Sequence, residues 1–189
     1  ANGVRLILIN QSMDRTDTNI VLSDDSHGAD LAAMRLRTAK CKKVAVVTSG
    51  SQTPAQLRRA KAFTKRMDSE GIEVVSWSNG PTSYDSGYQA GCELLKDKDI
   101  DGAFCVTDLL ALGFLDAARL EMKRRVPQDL SVVGFDDIPQ AGWKSYQLTT
   151  IAQSFDALTE KVLTALDSDE PETRLQVVPV SMVERTTAR

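Results

Sequence analysis

Two adjacent carboxylates, Asp136 and Asp137, follow the apolar run LSVVGF within VPQDLSVVGFDDIPQAGW (126–143). Carboxylates at the end of a buried strand can ligate a metal, share a catalytic proton, accept hydrogen bonds from a ligand, or finish a turn. Adjacent residues on extended backbone point to opposite faces, which argues against a shared-proton dyad. No second acidic cluster offers the remaining ligands of a metal shell, so no metal is expected. A carboxylate accepts from two hydroxyls at once, which suits a polyol or sugar. The competing reading is that one carboxylate closes a turn and the other is solvated. Arg59, in PAQLRRAKAFTKRM (54–67), is the natural complement. It shares a helix face with Phe63 and Met67 at fourth-residue spacing, so its guanidinium fork is either solvated or turned into a cleft beside that buried stripe.

Enzyme chemistry finds less support. There is no GxxxxGK phosphate loop, no GxGxxG after the first strand and no GxSxG elbow. TSGSQT (48–53) precedes a helix and has anion-binding geometry, but it contains no Lys or Arg. The single histidine, His27, has no partners for a triad or a metal site and reads as a surface or capping residue. Cys41, Cys92 and Cys105 lack CxxC spacing and read as buried free thiols of a reducing compartment. No cofactor is expected.

Short Val- and Ile-rich runs alternating with longer helical patterns must position these groups, and that alternation predicts an α/β fold with a parallel sheet. Strands are expected at 5–10, 42–49, 72–78, 102–107, 130–135, 148–153 and 175–183, with helices at about 28–39, 54–69, 84–97, 108–124 and 154–166. Thr53 before Pro54, Ser83, Thr107 and Ser154 are placed as helix N-caps. Residues 11–28 read as a polar bridge, and 167–174 as an exposed loop. Ligands of parallel sheets sit beyond the carboxyl ends of the strands. Asn10, Ser49 with Ser51, residues 79–84, Thr107 with Asp108, and Asp136 with Asp137 should therefore face one cleft.

The 189 residues are 42% hydrophobic and 26% charged, an ordinary globular composition. A net charge of −3 without any basic block argues against a nucleic-acid surface in this chain. No apolar run approaches membrane-spanning length, and the first ten residues lack the features of a signal peptide, so a cytoplasmic location is expected. A mature periplasmic chain would have the same composition.

Several stretches together resemble the lactose/galactose repressor (LacI/GalR) family of bacterial transcription regulators. FCVTDLLALGFLDAARLEMKRRVPQDLSVVGFDD followed by LTTIAQ is similar to that family's strand, Asp-containing helix start, VP.DLSVVGFDD and LTT. DLAAMRLRTAKCKKVAVVTSG, QLRRAKAFTKRMDSEGI, TSYDSGYQAGCELL and VVPVSMVERTTAR resemble its other segments. Lys40-Cys41 stands in place of its usual Gly-His, and Ala62 in place of its helix glycine. The resemblance implies two periplasmic-binding-protein-like (type I) lobes joined by three crossovers. It divides the chain into 1–23 (last strand of the N-terminal lobe and crossover), 24–138 (C-terminal lobe), 139–170 (return to an incomplete N-terminal lobe) and 171–189 (final C-terminal-lobe strand). The DNA-binding helix-turn-helix is expected to lie outside this sequence.

Carried over by position, the resemblance makes Arg59 and Asp136 the effector-binding pair and Thr107 a polar effector contact. It leaves Asp108 to cap its helix and Asp137 to hold the turn. Thr82 falls where many sugar-binding members place an aromatic platform; a threonine offers a hydroxyl but no ring face. Ser23 lines the crossover, and Asn10 stands at the mouth of the first strand. The implied function is sensing of a sugar-like effector by a non-enzymatic, homodimeric regulator. A periplasmic solute carrier of a transporter is the alternative, and a sugar or nucleotide hydrolase a third reading without a visible nucleophile.

Overall fold

The computed structural model describes residues 6–11, 18–167 and 175–189. The first strand's expected start at Arg5, residues 12–17 of the polar bridge, and 168–174 of the loop lie outside the described residues. The larger of two sheets has the order β4 (Glu73–Ser78), β3 (Lys43–Thr48), β5 (Gly102–Cys105), β6 (Ser131–Asp136), β7 (Thr149–Gln153) and β9 (Val180–Val183). All its pairs are parallel except β7 with β9.

The central strands carry apolar residues on both faces, as a sheet covered by helices on both sides requires. Strand alternation assigns the helices. Phe135 and Ile151 face α1 (Asp25–Thr38), where Gly28 approaches both side chains, and Phe104 stacks on Phe63 of α2 (Pro54–Ser69) at 4.8 Å. Their neighbours Gly134 and Thr150 turn toward α4 (Asp108–Asp116), which pairs with α3 (Tyr84–Leu94) on the opposite face. Those two helices approach backbone to backbone: a Cβ on Gly113 would collide with the Tyr84 carbonyl oxygen, so only glycine fits.

The smaller sheet has the order β1 (Ile7–Ile9), β2 (Asn19–Ser23), β8 (Leu175–Val178), all parallel. Helix α5 (Phe155–Asp167) covers it through Leu158, Val21 and Val178. The chain passes between the sheets after Ser23, at Ser154 and at Pro179.

Four features differ from expectation. The polar bridge contains strand β2, an NIVLS run short enough to be hidden by its polar flanks. The single strand expected over 175–183 is two, because Pro179 has no N–H to donate and the chain changes sheets there. The passage expected at 139 falls at Ser154 instead, since Thr149–Gln153 pairs with β6 and β9. Helix α4 also leaves α geometry early: residues 117–121 form a π turn closed by Met122 N–H to the Ala117 carbonyl.

The tail locks β6 to β7. The Thr187 hydroxyl donates to the Val132 carbonyl (2.8 Å) and accepts from Thr149 N–H (2.9 Å), while Val132 N–H donates to the Thr187 carbonyl (2.7 Å).

Candidate functional site

Thr53, Ser83, Thr107 and Ser154 each accept a backbone N–H three residues on and so start α2, α3, α4 and α5. From the Thr53 cap, α2 buries Gln56, Arg59, Phe63 and Met67 along one stripe, which carries the Arg59 guanidinium inward. Only 4% of that side chain is exposed, a burial that a charge tolerates when it is paired. Its Nε donates to Asp25 Oδ1 at 2.7 Å, and its Nη1 donates to the Val106 carbonyl (2.9 Å) and to Asp136 Oδ1 (3.1 Å). The guanidinium lies 3.6 Å above the Phe135 ring. Asp25 is buried and is shared: its Oδ2 accepts Nε and Nη2 of Arg58 at 3.0 and 2.8 Å.

Asp136 ends β6 at φ +123° and Asp137 follows at +54°. Neither is extended, and the first value is one that residues with side chains rarely adopt, a strain that clusters at functional sites. Asp136 Oδ1 also accepts Nε2 of Gln153 at 2.7 Å. Burial raises the Asp136 pKa above its ordinary value, opposed by the Arg59 charge and by the hydrogen bonds from Arg59 and Gln153. Gln153 Oε1 in turn accepts from the Ser23 hydroxyl (2.6 Å) and Asn10 Nδ2 (2.9 Å), and Asn10 Oδ1 accepts Ser23 N–H (2.8 Å).

Arg59, Asp136, Ser23 and Asn10 thus join one network that runs from the smaller sheet to the larger through Gln153. Among the described residues Arg59 Nη2 and Asp136 Oδ2 take no hydrogen-bond partner, leaving two N–H donors and one carboxylate oxygen unengaged. Thr107 stands next to Val106 in the chain, but its hydroxyl is engaged as the N-cap of α4. Thr82 belongs to a separate cluster: its hydroxyl donates to Ser49 Oγ (2.8 Å), which itself donates to Gln56 Oε1 (2.8 Å), and it accepts from Gln56 Nε2 (2.8 Å).

The capping role expected of Asp108 belongs to Thr107. Asp108 is fully buried, accepts Ile138 N–H at 2.9 Å and the Thr150 hydroxyl, and burial pushes its pKa up to about 7. It lies against Gly134, where a Cβ would overlap its carboxylate. Asp108 therefore anchors the segment just after the Asp136-Asp137 kink. Asp137 accepts Arg185 Nη2 at 2.7 Å, and Arg185 Nη1 donates to the Leu148 carbonyl (2.8 Å). His27 is exposed, and its backbone N–H donates to the Asp24 cap. Cys41 and Cys105 are buried, whereas Cys92 is half-buried. Gln153 and Asp25 escaped the sequence reading. Their one signal was position: Gln153 ends the strand beside β6, and Asp25 opens a helix directly after a strand.

Residues 33–188 match the model of the periplasmic binding protein-like domain. The chain belongs to the periplasmic binding protein-like domain family. Within it, the chain is 31% identical over 153 residues to the HTH-type transcriptional repressor PurR of Mannheimia succiniciproducens, covering 79% of this chain and 46% of that protein. The chain spans about half the length of the curated relatives it matches. A LacI family transcriptional regulator from Enterococcus faecium with bound ribose superposes with a TM-score of 0.85 at 26% identity, over 97% of this chain and 70% of that one. A LacI-family regulatory protein from Corynebacterium glutamicum has a TM-score of 0.75 at 31% identity, over 87% of this chain and 66% of that one. These relatives are transcriptional regulators. Among the described residues no helix is long and apolar enough to cross a membrane.

Proposed function

We propose that this chain is the effector-sensing part of a LacI-type transcriptional regulator. It acts in the cytoplasm, by binding rather than catalysis, on a sugar-like small molecule. The observation that carries the reading is the pairing of Arg59 and Asp136, each held by part of its hydrogen-bonding set while, among the described residues, Nη2 and Oδ2 take no partner. Donors and an acceptor so placed match vicinal hydroxyls, and the ribose carried by one similar regulator is of that chemistry. Thr107, whose hydroxyl accepts the Leu110 N–H and keeps its proton to donate, serves as a further polar contact, Asn10 and Ser23 hold Gln153 in place, and Thr82 stays with Ser49 and Gln56.

Effector binding would bias the arrangement of the two sheet systems at the three crossovers. In a homodimer that bias alters the spacing of DNA-reading helix-turn-helix domains lying outside these residues. The test is a thermal-shift screen of free pentoses, hexoses and polyols. A ligand bound only by the native state at about 100 times its Kd stabilises by about 2.7 kcal/mol. A hit lost in Arg59→Gln and Asp136→Asn supports the reading, and a hit equally strong in both variants overturns it.

A further inference from the structure

A concave groove of about 600 Å³ lies between α1 and α2, lined by none of the residues proposed above as effector contacts. Helix α1 lines it with Ser26 and Asp30, and α2 with Arg58, Lys61, Lys65 and Arg66. Positions 58, 61 and 65 fall on one helical stripe, so their charges converge along the groove. Four cations face one anion there, although acidic residues outnumber basic ones over the chain, 26 to 23. A basic outer helix is common on protein surfaces; the concavity and the unbalanced charge set this one apart.

The flanking acids leave that excess in place. Asp25 divides its charge between Arg58 and Arg59, and Glu70 is shared by Arg66 and Arg37, each at 3.1 Å. Asp68 lines the neighbouring hollow that Lys61 and Lys65 also border, and neither lysine forms an ion pair among the described residues. The Ser69 hydroxyl is spent on the Arg66 carbonyl (2.7 Å), whereas Ser26 is exposed and lines the groove.

We propose that this groove binds a phosphate dianion, free or carried on a small metabolite, and that its occupancy is transmitted to Arg59 through Arg58 and Asp25. Arg58 holds Asp25 with Nε and Nη2, which leaves Nη1 for a ligand. An anion in the groove competes with Asp25 for Arg58; Asp25 then draws Arg59 more strongly, at the expense of the Arg59 contact to Asp136. The groove is in this way a second, inhibitory site. The coupling rests on Arg59 being the effector contact; the binding does not.

The experiment titrates inorganic phosphate and, separately, glycerol 3-phosphate into the effector-free chain, with sulfate and chloride at matched ionic strength. Arg58 and Arg59 Nε–H resonances are followed by 1H–15N NMR. The tighter of the two phosphates identifies the source. Lys61→Gln/Lys65→Gln should weaken binding roughly tenfold, in line with losing charge-assisted bonds, and Lys96→Gln/Lys144→Gln on the α3–α4 side should leave it unchanged. Both Nε–H resonances should move on saturation. Equal weakening in the two double variants, or no preference for phosphate over sulfate and chloride, marks an adventitious ion only and overturns the site. Binding with both resonances unmoved overturns the coupling, and either result leaves the effector reading to its own screen.

Discussion

A buried carboxylate that holds two arginines is costly to remove, because Arg58 loses its ion pair among the described residues and the buried Arg59 is left with Asp136 alone. Asp25→Ala should therefore lower unfolding free energy by about 3 kcal/mol, read by urea denaturation. Asp108 makes a pH prediction. Its carboxyl is raised from 3.8 to about 7 in the folded state, so the native protein retains a proton that the unfolded chain has released. Stability should fall as pH rises between about 4 and 7, by on the order of a few kcal/mol. Asp108→Asn should flatten that slope, and an unchanged slope would contradict the assignment. An inward Arg59 was one of two readings its helical spacing allowed, and the choice of Asp136 over Asp137 rested on the family resemblance, since a strand end alone does not separate two adjacent carboxylates. Gln153 was not legible, since its role depends on which strand lies beside β6. Extended geometry was also the wrong frame for the Asp136-Asp137 pair, whose positive φ values no pattern of residue types betrays.

At the scale of elements, helix starts were the clearest signal, because a cap and its N–H acceptor geometry are local in sequence. Places where the chain changes sheets are set by tertiary pairing and stayed hidden: β2 inside polar flanks, the break at Pro179, the passage at Ser154. The π turn after Asp116 was hidden for the same reason, as apolar spacing ran on across it. The closest helix contact gives a prediction. Gly113→Ala forces a methyl against the Tyr84 carbonyl and should cost about 1–3 kcal/mol, seen as a lower urea midpoint with an unchanged slope. Gly71→Ala is no control for it, since Gly71 sits at φ +70° and would add strain of its own. Ala55→Gly at the half-buried first turn of α2 would report helix propensity instead.

Over the whole molecule, two sheet systems meet through three passes of the chain and one polar network, Asn10–Ser23–Gln153–Asp136–Arg59–Asp25. Among the described residues the network ends at donor and acceptor atoms without a partner, so a polyhydroxy ligand should insert there with its binding energy routed through Arg59. Isothermal titration of the sugar selected by the thermal-shift screen, into the parent chain and into Arg59→Gln, measures this directly. Loss of one charge-assisted pair of bonds should weaken binding by at least about tenfold while the urea midpoint stays high enough for the variant to remain folded. Equal affinity of parent and Arg59→Gln for that sugar would contradict the account.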